Sequence, residues 1–109
     1  MAYDEGQLQL LRDDLVDQSG ISEKRMFGGV CLMLNGNMLC GVGGETPMFR
    51  VGKDNEAAAL EIHGVGPLTF TGRKMGGLVE MDPDAFADDH LRRQVLQLAL
   101  EFVSPMPSK

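Results

Sequence analysis

"VCLMLNGNMLCGV", residues Val30 to Val42, reads nearly the same in both directions about its centre. Asn35-Gly36 is a strong signal for a type I′ hairpin, whose two central residues both need positive φ. A two-residue loop pairs Leu34 with Asn37, Met33 with Met38, Leu32 with Leu39, and Cys31 with Cys40. Counting pairs outward from the turn puts the cysteines at a non-hydrogen-bonded site, with Cα atoms roughly 4.5 Å apart. That is the short edge of the disulfide range, so a bridge there is sterically allowed but strained and reducible. A bulged turn would slip the register and weaken this pairing. Cys31 and Cys40 are the only cysteines in the chain. They read as two small buried hydrophobes facing each other, or as a redox-responsive thiol pair. A metal clip needs two further ligands, and His63 and His90 stand in no ligand spacing, so no metal is expected.

The alternation in this hairpin places Cys31, Met33, Met38 and Cys40 on one face and Val30, Leu32, Leu34 and Leu39 on the other. Both faces are apolar. An antiparallel sheet with helices on one side ordinarily turns a polar face to water. Either helices cover both faces, then, or the second face meets another subunit. A homodimer is expected, with Met33 and Met38 as the dimer-face candidates, because methionine suits adaptable contacts.

On the N-terminal side, Asp4 can cap a helix with Gln7 as its capping-box partner, and Leu8, Leu11 and Leu15 follow at helical spacing. Ser19-Gly20 stops it. Residues 24–34, 37–43 and 47–51 read as strands. Asp54 is the expected cap of a short helix through "DNEAAALEI". Residues 67–70 and 77–81 read as two more strands, the latter ended by Asp82-Pro83. Asp88 or Asp89 caps a final helix whose apolar stripe is Leu91, Val95, Leu98 and Phe102. The expected fold is a single α+β domain over residues 1–109, with the order α-β-β-β-α-β-β-α. Short turns between consecutive strands imply an antiparallel sheet, and the striped helices imply a second layer on it.

Two segments echo each other: "KRMFGGV" (Lys24–Val30) and "GRKMGGLV" (Gly72–Val79). Each has a basic pair, a methionine, then Gly-Gly before an aliphatic strand. Glycine pairs in strands mark bends or close backbone approach. If the two segments were neighbours, Lys24, Arg25, Arg73 and Lys74 would form one cationic patch for a partner. The net charge of −6 argues against a generic nucleic-acid binder. Only residues 23–74, with six basic and five acidic side chains, escape the acidic excess of the two ends.

"KRMFGGVCLMLNGNMLCGV", then "MFRVG", then "FTGRKMGGLVEMDP" together closely resemble the N-terminal domain of TfoX/Sxy proteins, over roughly residues 3–103. The matching motif positions are Met26, Phe27, Gly28, Gly29, Arg73, Met75, Gly76 and Gly77. The resemblance implies a two-layer α+β domain of secretion-chaperone-like type. It also implies a part in transcription regulation, since full-length relatives are bacterial co-regulators of natural competence that work with a cyclic-AMP receptor protein. Those relatives carry a C-terminal domain of helix-hairpin-helix character, which this chain lacks, so it is read as a stand-alone N-terminal domain. The resemblance supplies no catalytic residues.

Nor do the residues suggest an enzyme. "FRVGKD" fails as a P-loop, because Pro47 stands where the first glycine belongs and Asp54 where Ser or Thr should follow the lysine. "GVGGET" lacks the last glycine of a dinucleotide fingerprint. Asp82 and Asp84 read as turn and cap rather than as an acid–base pair. No cofactor is expected. No apolar run approaches the ~18 residues of a membrane span, and the acidic N-terminus is no secretory signal, so a cytoplasmic protein is expected. The expected function is a non-enzymatic regulatory, protein-interaction domain. The alternatives are a small nucleic-acid-binding regulator using Lys24, Arg25, Arg73 and Lys74, or a redox sensor built on Cys31 and Cys40.

Overall fold

The computed structural model describes residues 3–26, 28–43, 46–70 and 73–108, without the side chains of Met26, Thr69, Phe70, Arg73, Lys74 and Met75. The chain runs α1 (Glu5–Asp14), β1 (Ile21–Met26), β2 (Gly29–Leu34), β3 (Asn37–Val42), β4 (Met48–Arg50), α2 (Lys53–Leu60), β5 (Val65–Phe70), β6 (Arg73–Met81), α3 (Pro83–Phe86) and α4 (Asp89–Val103). The strands form one sheet in the order β1-β2-β3-β4-β6-β5, with every pairing antiparallel. The fold is therefore the α+β class that the sequence suggests.

Two elements correct the expected order. The single strand expected over 24–34 is two strands, β1 and β2, which pair with each other from Ile21↔Leu34 to Met26↔Gly29. Gly28, at φ 76°, makes the reversal between them. A Cβ on Gly29 would stand 2.1 Å from the Val42 carbonyl oxygen of β3, so only glycine fits there. The second addition is α3. Asp82 accepts a bond from the Asp84 amide and Pro83 takes the first helical position, so the "DP" turn starts a helix as well as ending a strand. Its Phe86 is fully buried and meets Phe49 with ring centroids 6.1 Å apart.

The helix caps follow ordinary chemistry with one exception. The Asp4 carboxylate accepts from the Gly6 and Gln7 amides, and Asp88 from those of His90 and Leu91. Asp54 does not cap α2. That place belongs to Gly52, at φ 84°, ψ 157°, with no side-chain cap.

Among the described residues, all four helices bury side chains in one core, together with Val30, Leu32, Leu34, Leu39, Cys40, Val42, Phe49, Val79 and Met81 of the strands and Val51 just after β4. The helices thus cover a single face of the sheet. The buried stripe of α4 is Arg92, Val95, Leu96, Ala99 and Val103, turned from the expected Leu91, Leu98 and Phe102, which are half-buried on its flanks. The turn follows from Arg92. Its guanidinium, 1% exposed, grips the Asp14 carboxylate with Nε–Oδ2 2.6 Å and Nη2–Oδ1 3.1 Å, and it also donates to Asp89 and to the Phe86 carbonyl. Arg93 adds a 3.1 Å bond to the same carboxylate. This cluster ties the end of α1 to α3 and to the start of α4.

Burial alone drives the Asp14 carboxyl upward, but hydrogen bonds from Arg92 and Arg93, with their charges, outweigh it and hold its pKa below the ordinary value. A lowered folded pKa gives stability that is present above the unfolded pKa of about 4 and is lost as pH falls through the folded value. Urea unfolding is therefore expected to show wild-type stability dropping on acidification below about pH 4. In Asp14→Asn that loss should be reduced, with part of the remainder coming from Glu23, which is also lowered by its bond to Arg12. An Asp14→Asn variant with the full wild-type acid slope would contradict the assignment.

Candidate functional site

The strand register defines the face that the helices leave open. Lys24 pairs with Cys31, Cys31 with Gly41, Gly41 with Met48, Met48 with Glu80, and Glu80 with Gly66. These residues form one row across all six strands. Directly paired residues share a face, and neighbours along a strand alternate. Glu23, beside Lys24, marks the helix side through its 2.6 Å ion pair with Arg12 of α1. The row of Lys24 therefore lies on the other side. A second row holds Ser22, Met33, Met38, Arg50 and Leu78, two residues along each strand and three along the bulged β3.

On this open face Met33, Met38, Met48 and Leu78 are half-buried and lie outside both the core and the side chains packed on it. Lys24 is exposed, and Glu80 is half-buried and accepts a 2.8 Å bond from Thr46 Oγ1. The two dimer-face candidates, Met33 and Met38, are thus direct cross-strand partners on the uncovered side. Sequence reading missed Met48, Arg50, Leu78 and Glu80. The alternation in Met48-Phe49-Arg50 and Leu78-Val79-Glu80 carried that signal, because Phe49 and Val79 are the fully buried members.

The cysteine pairing needs correction. The Asn35-Gly36 turn forms as read, with φ 52° and 85°, and Leu34↔Asn37 and Met33↔Met38 hold. Beyond them a β-bulge shifts the register, so Leu32 faces Cys40 and Cys31 faces Gly41. Leu39 is the extra residue and joins Cys40 in the core. The bulge moves Cys40 onto the helix face, whereas Cys31 stays on the open face. Cβ vectors that point apart cannot be bridged without moving backbone, so Cys31 and Cys40 do not form the facing pair. Both thiols are buried, and burial raises the pKa of each, which leaves them protonated.

The cationic patch needs correction as well. Lys24 and Arg25 lie on edge strand β1, and Arg73 and Lys74 begin β6, four strand positions away. Glu80 shares the row of Lys24, and Arg73 lies seven residues from Glu80, on the side away from Arg25. At roughly 4.8 Å per strand and 3.3 Å per residue, the two pairs sit about 20 Å apart in each direction. They occupy opposite corners of the sheet. The side chains of Arg73, Lys74, Met26 and Met75, and the whole of Phe27, lie outside the described residues.

The second glycine pair meets a different partner from the one its echo suggested. Val51 and Gly52 both donate to the Gly77 carbonyl at 3.0 Å. A Cβ on Gly77, itself at φ 82°, would stand 3.3 Å from Gly52 Cα. Gly76-Gly77 therefore packs against Val51-Gly52-Lys53, joining β6 to the start of α2. Beside this junction lies a recess of about 530 Å³ lined by Met38, Arg50, Gly52, Lys53, Leu78 and Phe102, among others. Arg50 is fixed in it, with its guanidinium 5.6 Å from the Phe102 ring centroid and Nη1 3.5 Å from the Met38 carbonyl.

Among the described residues, no three His, Cys, Asp or Glu side chains cluster so as to hold a metal ion. No helix among them is long and apolar enough to cross a membrane. The sequence model of the TfoX N-terminal domain matches residues 13–103 of the chain. No curated protein and no solved structure matches it significantly.

Proposed function

Because this chain belongs to the TfoX N-terminal domain family, we propose that it is a non-catalytic regulatory domain that works by protein contact, through the open face of its sheet, in the control of transcription. The observation that carries the reading is the half-buried apolar pair Met33 and Met38, continued by Met48 and Leu78, on the sheet face opposite the helix-packed core, where only the Phe102 end of α4 reaches the recess beside Met38 and Leu78. Contiguous apolar surface of this kind marks interaction sites on small domains, and methionine adapts to the partner it meets. Homodimer formation through this face is part of the reading. A role in competence, beside a DNA-binding protein that supplies the promoter contacts, is the setting that the family suggests.

The test is quantitative capture from extract of the native cell, comparing wild type with Met38→Glu. The charge on the open face should abolish recovery of a transcription factor or polymerase subunit while the fold, read by circular dichroism, is kept. Equal recovery by both proteins would rule out the open face as the contact.

A further inference from the structure

We infer that the open face is self-complementary about a two-fold axis running along β3 over Gly41, so that Lys24 of one copy meets Glu80 of a second copy. The inference rests on the reading of this face as a contact surface and names its occupant.

Lys24 on β1 lies two strands to one side of Gly41 on β3, and Glu80 on β6 lies two strands to the other. A two-fold axis parallel to the strands and lying over β3 exchanges those sides. It superposes Lys24 on the partner's Glu80 and Cys31 on the partner's Met48. Gly41 meets its own copy, as does Met38 in the second row. Each charge of that row thus finds the opposite one, twice per dimer, around a centre of cysteine, glycine and methionine, while in the second row Met33 faces the partner's Arg50 and Ser22 the partner's Leu78. An isologous contact requires this self-matching of one patch, and few arrangements of a lysine, a carboxylate and apolar residues in one row provide it.

The dimensions agree with sheet-on-sheet packing. Lys24 and Glu80 each sit about 10 Å from the axis. With the axis tilted about 15° from β3, the sheets cross at about 30°, the angle of aligned packing, which displaces each charge by about 5 Å, within the span of a lysine and a glutamate side chain. A Cβ on Gly41 would lie 3.2 Å from Cys31 Sγ, so the thiol fills the space above the glycine and gives the centre of the contact a filled floor. The patch measures roughly 20 by 20 Å, about 800 Å² over both partners and below the ~1,200 Å² of stable specific interfaces, so association is weak and concentration-dependent.

Sedimentation equilibrium on the purified full chain tests this. Wild type should approach a dimer as concentration rises. Lys24→Glu and Glu80→Lys should each weaken association about tenfold, because each places two like-charged pairs at the contact. The Lys24→Glu/Glu80→Lys double variant should recover it. An equimolar mixture of the two single variants should also associate more tightly than either does alone, a gain that misfolding cannot produce. A wild type monomeric at every concentration overturns the inference, and so do single variants that associate normally or a double variant that stays weak. A monomeric wild type leaves the capture experiment with Met38→Glu as an independent reading of the same face, so the two failures are distinguishable.

Discussion

Replacing Arg92 by alanine is expected to destabilise the fold by about 3–5 kcal/mol, the range for breaking one side of a buried ion pair. Arg92 heads the fully buried side chains by volume, and its guanidinium meets two carboxylates, one carbonyl and the face of Phe86. Alanine would leave the Asp14 carboxylate, 2% exposed, with only the outer arm of Arg93, which is itself 63% exposed. The Phe86 carbonyl would lose its donor, and a cavity would open between α1, α3 and α4. In a domain of this length the melting temperature should fall by more than about 10 °C. The pair Asp14→Leu/Arg92→Met removes both charges together and should recover most of the loss, because buried pairs are often replaceable by apolar groups of like volume. Thermal and urea unfolding of the single and double variants decide this. A single variant within about 1 kcal/mol of wild type would contradict the account of the cluster.

Gly52→Ala is expected to cost about 3 kcal/mol or more, from backbone strain together with overpacking. At φ 84°, ψ 157° Gly52 occupies a region open in practice to glycine alone. A Cβ there would lie 2.3 Å from Phe102 Cδ1 and 2.6 Å from its Cγ, so the ring must move as a whole. The movement would disturb Arg50, which rests over that ring, and the Gly52–Gly77 contact that seats α2 on β6. Gly66 is a useful control, since a Cβ there meets nothing within 4 Å. Gly66→Ala should stay near wild type, and equal losses at both positions would remove the special role given to Gly52.

The sequence carries the α+β class, the hairpin turn at Asn35-Gly36, the caps Asp4 and Asp88, and the apolar second face of the hairpin. These are local, and each rests on chemistry that reaches only a few residues along the chain. What escaped depends on contacts distant in sequence. The bulge at Leu39 places Leu39 and Cys40 together in the core, and it decides that Cys31 and Cys40 part company. Arg92 reads as a surface residue until Asp14, 78 positions away, comes to face it. The similarity of "KRMFGGV" and "GRKMGGLV" suggests a shared location, yet strand order sends their basic residues to opposite corners. Their glycines serve different contacts, one against β3 and one against the start of α2. Even so, the two-sided apolar pattern of Val30–Val42 pointed to the surface on which the functional proposal rests.

That proposal is tested most directly by measuring unfolding free energy and partner recovery side by side for Met38→Glu. If the face is open in the free domain and used for contact, the charge should cost at most about 1 kcal/mol of stability while partner recovery is lost. A loss of several kcal/mol would mean that Met38 is covered within the single chain, and unchanged recovery would mean that the open face is not where this domain meets its partners.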